Sequence, residues 1–152
     1  MIIIKSDQEI DLMRTSGKVT AFILSQLENL IKPGISTADI DKFVEDTIRS
    51  NGMIPTFKGY GGFPASACVS INEEVVHGIP NKKRFLKEGD IVSVDVGSTY
   101  KGYVSDAART YPVGKVSETA QKLMDVTRES FFAGLEFCKV GYRLSDISHA
   151  IQ

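Results

Sequence analysis

Asp95 and Asp106 are the two side chains of this 152-residue chain whose type and spacing most readily make chemistry. Asp95 lies in the apolar run IVSVDVG (91–97) and Asp106 in GYVSDAARTY (102–111), with Tyr100-Lys101-Gly102 as turn residues between them. A hairpin turning between Tyr100 and Lys101 pairs those two residues and, counting outward, sets Asp95 opposite Asp106. Like charges directly across a sheet destabilise it, and an unpaired carboxylate between Val94 and Val96 is costly to bury. Two arrangements remove the conflict. Either the carboxyls share a proton as an acid–base dyad, or a cation sits between them, where oxygen-only ligands suit a hard or borderline divalent metal. The plain alternative is another register, with both aspartates facing solvent near a turn, a setting in which Asp is common.

Two further segments hold candidates. In NEEVVHGIP (72–80), His77 follows two β-branched residues and precedes Gly78 and Pro80, at the end of an expected strand. An imidazole there can donate a hydrogen bond to a substrate carbonyl or move a proton; it can equally be a structural histidine with its bonds satisfied. In GYGGFPASAC (59–68), Tyr60, Phe63 and Cys68 can wall a pocket for an apolar side chain, or be core residues held by glycines. His149, the other histidine, reads as a helix-surface residue.

The elements that must position these residues follow from pattern. Ser6 with Glu9 has capping-box spacing, and Ile10, Met13, Val19, Ile23, Leu27 and Leu30 form a helical stripe. This predicts a helix over 7–31, closed by Lys32-Pro33-Gly34. Ser36 or Thr37 caps a second helix that buries Ile40, Phe43, Val44 and Ile48 and ends at Asn51-Gly52. Residues 53–65 read as a glycine-rich loop, a common setting for function. Strands are expected at 66–71 and 75–77 around the turn 72–74, and at 91–97 and 102–111 after the turn 87–90. Ser117 caps a helix through about 138 with Leu123, Val126, Phe131, Leu135 and Cys138 among its apolar positions. Helices flanking consecutive antiparallel strands predict an α+β layer arrangement. With no repeat, low-complexity tract or linker, the expectation is a single domain over 1–152. A last helix begins at Leu144 and runs out at Gln152 without a cap, which reads as an interrupted chain.

Composition excludes several classes. With 18 basic and 19 acidic residues the net charge is −1, which gives no electrostatic case for nucleic acid or an anionic membrane. Two cysteines are too few for a disulfide scaffold and fit a reducing compartment. The start, MIIIKSDQEIDLMR, is neither a signal peptide nor a membrane span. A cytoplasmic globular protein is expected.

KPGIST (32–37), GYGGFPASACVSINEEVVHGIP (59–80), KEGDIVSVDVG (87–97) and YVSDAARTYPVG (103–114), in this order, resemble type I methionine aminopeptidases. The resemblance runs from the first helix to Gln152 and implies the N-terminal part of a pita-bread metallopeptidase fold. It implies that Asp95 and Asp106 are metal ligands, Asp106 bridging two divalent ions (cobalt, manganese, iron or zinc). It implies that His77 hydrogen-bonds the substrate near the scissile bond, and that Tyr60, Phe63 and Cys68 surround the pocket for an N-terminal methionine. Phe63 stands where the family often has tyrosine. The implied reaction is hydrolysis of the first peptide bond of nascent polypeptides, with the ribosome as a place of encounter, and the metals polarising the carbonyl. The family's remaining ligands, a His and two Glu, and a further catalytic His lie in a second half with no counterpart here. The chain alone is therefore expected to be inactive, and an exposed apolar sheet face and strand edge should make it self-associate. The other classes are a proline-directed relative, against which HGIP and GYGGFP speak, and a binding protein that has lost the chemistry.

Overall fold

The structure, a computed structural model, describes residues 3–152. The chain forms two compact units, Met1–Lys115 and Val116–Gln152. In the first, α1 (Asp7–Leu30) starts at Ser6, whose hydroxyl accepts from the Glu9 amide while the Glu9 carboxylate accepts from the Ser6 amide at 2.7 Å. α2 (Thr37–Ser50) starts in the same way with Ser36 and Asp39. Each reciprocal cap satisfies donors that a helix start leaves open. α1 stops ahead of Lys32-Pro33, since a residue before proline is pushed out of helical conformation.

The sheet is antiparallel and centres on β3. β1 (Ile54–Pro55) and β2 (Ala67–Ile71) pair along one edge of β3 (Ile91–Tyr100), and β4 (Tyr103–Pro112) along the other. Strand alternation divides β3 between two faces. Val92, Val94 and Val96 are fully buried in one core with Ile23 and Leu27 of α1 and Ile40, Val44 and Ile48 of α2. Ser98 continues that face, and its hydroxyl bonds to Ser16 (2.8 Å) and Thr20 (2.9 Å) of α1, so a buried polar position is satisfied. The Tyr111 hydroxyl donates to the Leu24 carbonyl at 2.6 Å and ties β4 to the same helix. Ser93, Asp95 and Gly97 alternate onto the opposite face, which no helix of this core covers.

Three expectations need correction. Tyr100 pairs with Tyr103, so Lys101 and Gly102 form a two-residue loop, both at positive φ (48° and 85°). Such a loop matches the twist of the strands, whereas a turn with no residue outside the ladder cannot reverse the chain. Asp95 therefore stands opposite Ala108, and Asp106 opposite Gly97, rather than opposite each other. The strand expected at 75–77 does not form: Val76 has φ 62°, and the His77 amide donates to the Val75 carbonyl at 2.8 Å, which bends the chain sharply. The loop expected over 53–65 contributes Ile54–Pro55 to the sheet and a 3-10 turn at Tyr60–Gly62.

In the second unit, Ser117 caps α3 (Glu118–Leu135), accepting from the Ala120 amide at 3.2 Å. α3 ends at Leu135 rather than near 138 and is followed by α4 (Leu144–Ile151). The two helices pack together at Gly134, where a Cβ would lie 2.7 Å from the Ile151 side chain. Among the described residues no helix is long and apolar enough to cross a membrane.

Candidate metal centre

The ladder places the carboxylates. Across β3, Asp95 has Cys68 of β2 on one side and Ala108 of β4 on the other. Asp106 lies two residues along β4 from Ala108, hence on the same sheet face as Asp95 and diagonal to it. Diagonal neighbours are within reach of side chains that lean together. Burial first, then the charge of Asp106 and a hydrogen bond between the two carboxyls, push Asp95 up to about 6; the Val96 amide and His77 pull it the other way. Among the described residues, the ion pairs of lysine and arginine all lie elsewhere. Two carboxylates that repel each other without a lysine or arginine partner are a donor set that fits a hard or borderline divalent cation. They are alone in this, since no group of three or more His, Cys, Asp and Glu is gathered for a metal among the described residues.

The surroundings are built from small and polar groups. Ser93 and Thr110 bond across the ladder at 2.7 Å, one pair along from Asp95 and Ala108 on that face. Gly97 faces the Phe57 ring, and a Cβ there would lie 2.6 Å from it. The Thr56 amide donates to the Gly97 carbonyl at 2.9 Å and holds that ring's segment in place. Cys68 is buried, and its thiol is pushed up to about 11 by burial and then by the charges of Asp95, Asp106 and Asp41. A thiol held neutral in this way is a packing surface, since nucleophilic attack needs the thiolate.

Of the other candidates, His77 is exposed but close enough for its charge to act on Asp95. Its neighbour Gly78 fixes it against β2: the Gly78 amide donates to Ser70 Oγ at 3.1 Å, and the Gly78 carbonyl accepts from the Val69 amide at 2.9 Å. A Cβ at Gly78 would fall 2.2 Å from the Val69 carbonyl oxygen, so only glycine lets the backbones come this close. Phe63 is half-buried, while Tyr60, which opens the 3-10 turn, is 81% exposed. Asp95, Asp106, Cys68 and His77 thus gather around one sheet face, and Tyr60 extends into solvent. His149 sits in the last turn of α4, among exposed residues.

Sequence reasoning missed Asp41. This α2 carboxylate is half-buried and accepts from the Ser66 and Ala67 amides at 2.8 and 2.9 Å, where the chain enters β2. A lone aspartate beside a buried isoleucine carries no pattern to reveal such a partner. Gly97 did carry one, because a glycine inside a strand marks a close approach.

A sequence profile described as metallopeptidase family M24 matches residues 11–152. The chain is 59% identical over 152 residues to a methionine aminopeptidase of Clostridium acetobutylicum, covering 100% of this chain and 61% of that protein. It is 52% identical to methionine aminopeptidase 1 of Bacillus subtilis, with the same coverage. The crystal structure of a Thermotoga maritima methionine aminopeptidase superposes with a TM-score of 0.97 at 46% identity, covering 100% of this chain and 61% of that one. The expected α+β pita-bread fold is borne out by this likeness, and the chain spans 61% of the length of these relatives. With two diagonal carboxylates on the open side of its sheet and the profile matching nearly its whole length, the chain belongs to metallopeptidase family M24.

Proposed function

We propose that these 152 residues are part of one methionine aminopeptidase catalytic domain and contribute the aspartate side of a site for two divalent ions. The observation that carries this is the Asp95–Asp106 pair on one sheet face, Asp95 half-buried and Asp106 exposed, mutually repelling and without a lysine or arginine partner among the described residues. Asp95 and Asp106 hold the ions, with cobalt, manganese, iron and zinc all compatible with oxygen donors here. When bound, the ions supply Lewis-acid polarisation of a peptide carbonyl and a water activated at neutral pH. His77, exposed beside the pair, donates a hydrogen bond to the substrate near the scissile bond and orients it. The neutral Cys68 thiol and half-buried Phe63 form the wall that receives an N-terminal methionine side chain, with exposed Tyr60 at its rim. The substrates are nascent polypeptide N-termini, met in the cytoplasm and at the ribosome.

Two aspartates are few ligands for two ions, so the chain by itself binds metal weakly and does not turn over substrate. The test fuses the unmatched remainder of the Clostridium acetobutylicum relative to this chain and assays methionine release from a Met-Ala-Ser peptide with Mn²⁺. The fusion should release methionine, Asp95→Asn should abolish that release, and the 152-residue chain should be silent. A fusion unaffected by Asp95→Asn would remove the role given to the pair.

A further inference from the structure

We propose that α2 is a two-point clamp on the loop 57–66, with Asp41 and Glu45 as positioning residues for the pocket wall that ends in Cys68. The proposal deepens the pocket reading given above and rests on it. Asp41 and Glu45 are one helical turn apart and share a face of α2, with Arg49 a further turn along. At the start of the loop, Lys58 Nζ donates to Glu45 Oε2 at 2.5 Å, and Arg49 Nε donates to Glu45 Oε1 at 2.8 Å. These two cations hold the Glu45 carboxylate near 2. At the end of the loop, Asp41 Oδ1 accepts from both the Ser66 and Ala67 amides.

Between the two attachments the loop closes on itself. The Gly59 amide donates to the Phe63 carbonyl at 2.8 Å, and the Phe63 amide to the Tyr60 carbonyl at 3.0 Å. The segment carrying Tyr60 and Phe63 is therefore a compact body fastened to α2 at both ends, and its exit leads directly into Cys68 opposite Asp95. Half-burying Asp41 is unfavourable in itself, which its raised pKa records, and the two amide bonds are what offset it. Removing that acceptor leaves two amides at the buried start of β2 without a partner. The Lys58–Glu45 contact is more exposed and open to salt screening, so Asp41 is the stronger of the two points.

The experiment uses the full chain with Cys138→Ser, which leaves Cys68 as the single thiol. Iodoacetamide alkylation of Cys68 is followed together with amide exchange at Ser66 and Ala67. Asp41→Ala should speed alkylation by at least about tenfold and raise exchange at both amides. Asp41→Asn should keep exchange at both amides within about twofold of the parent, because its side-chain oxygen still accepts both bonds. As both variants remove the charge that raises the Cys68 thiol, alkylation is read as the difference between them. An Asp41→Ala rate equal to the parent's overturns the proposal, and so does an Asp41→Asn rate equal to that of Asp41→Ala. Should Asp41→Ala fail to give a cooperative melt, Glu45→Gln is read instead at low salt. It should raise exchange at Gly59 and Tyr60, whose amides bond within the loop, about twofold or more, and no change there overturns the clamp. Methionine amide, added to the parent, should slow alkylation of Cys68; if it does not, the pocket reading falls while the clamp result stands separately.

Discussion

Asp95 and Asp106 carry a cost in the metal-free chain that can be measured. Burial and the charge of Asp106 push the folded-state Asp95 carboxyl up to about 6 from its ordinary 3.8, so between those values the folded state binds more protons than the unfolded state. Stability from this group is therefore fully present below about pH 4 and is lost as pH rises through about 6. After allowance for solvent screening at this half-exposed site the loss is about 1 kcal/mol. Urea unfolding of metal-free protein at pH 4 and pH 7 should show this loss reduced in Asp106→Asn relative to the parent; equal pH dependence in the two would contradict it. That these two residues share a sheet face was legible in the sequence, although the register was not. The expected pairing was displaced by the two residues of the hairpin loop, and an even displacement leaves every side chain on its own face. What the sequence lacked was any mark of the loop's length, because Tyr100-Lys101-Gly102 allows more than one turn. Asp41 was invisible for another reason, since its partners are backbone amides that carry no side-chain signature.

The elements that hold the site depend on a few close contacts. Gly78→Ala places a methyl group against the Val69 backbone, which cannot rotate away. It should destabilise the fold by about 2–4 kcal/mol in urea unfolding, and a change under 0.5 kcal/mol would mean that segment 72–80 is not held on β2. Ser98→Ala removes the hydroxyl that bonds Thr20 and Ser16 within the core. Ser16 keeps its bond to the Ser98 carbonyl, while Thr20 loses its side-chain partner, so a loss of about 1–2 kcal/mol is expected by the same measurement. Both helices of the first unit were readable because the Ser6-Glu9 spacing, a Ser36 or Thr37 cap and the apolar stripes are written in the sequence. The strand at 75–77 was misread because two valines favour a strand locally. The approach of Gly78 to β2 and the turn at Val76 are tertiary, and they override that preference.

At the scale of the molecule, the expected apolar surface lies elsewhere than anticipated. The open face of β3 and β4 carries Ser93, Asp95, Asp106, Ala108 and Thr110, with Ile91 and the exposed Val104 as large apolar side chains. The exposed apolar residues are concentrated instead in α3 and α4, where Leu123, Val126, Phe131, Phe132, Leu135 and Leu144 are each more than half exposed. Those α3 residues follow a helical stripe that is legible in the sequence, but periodicity says only which side is apolar, not whether anything covers it. Apolar exposure on this scale favours self-association, so sizing of the chain should show species larger than a monomer that grow with concentration. Leu123→Glu with Phe131→Glu should shift them to monomer, and a chain that stays monomeric without those changes would contradict the prediction. The central claim is that Asp95 and Asp106 act together on a divalent ion, and calorimetric titration of Mn²⁺ into the chain tests it most directly. The account predicts weak saturable binding that Asp95→Asn and Asp106→Asn each reduce by about tenfold or more. Binding that both substitutions leave unchanged, or no binding at all at millimolar Mn²⁺, would contradict it.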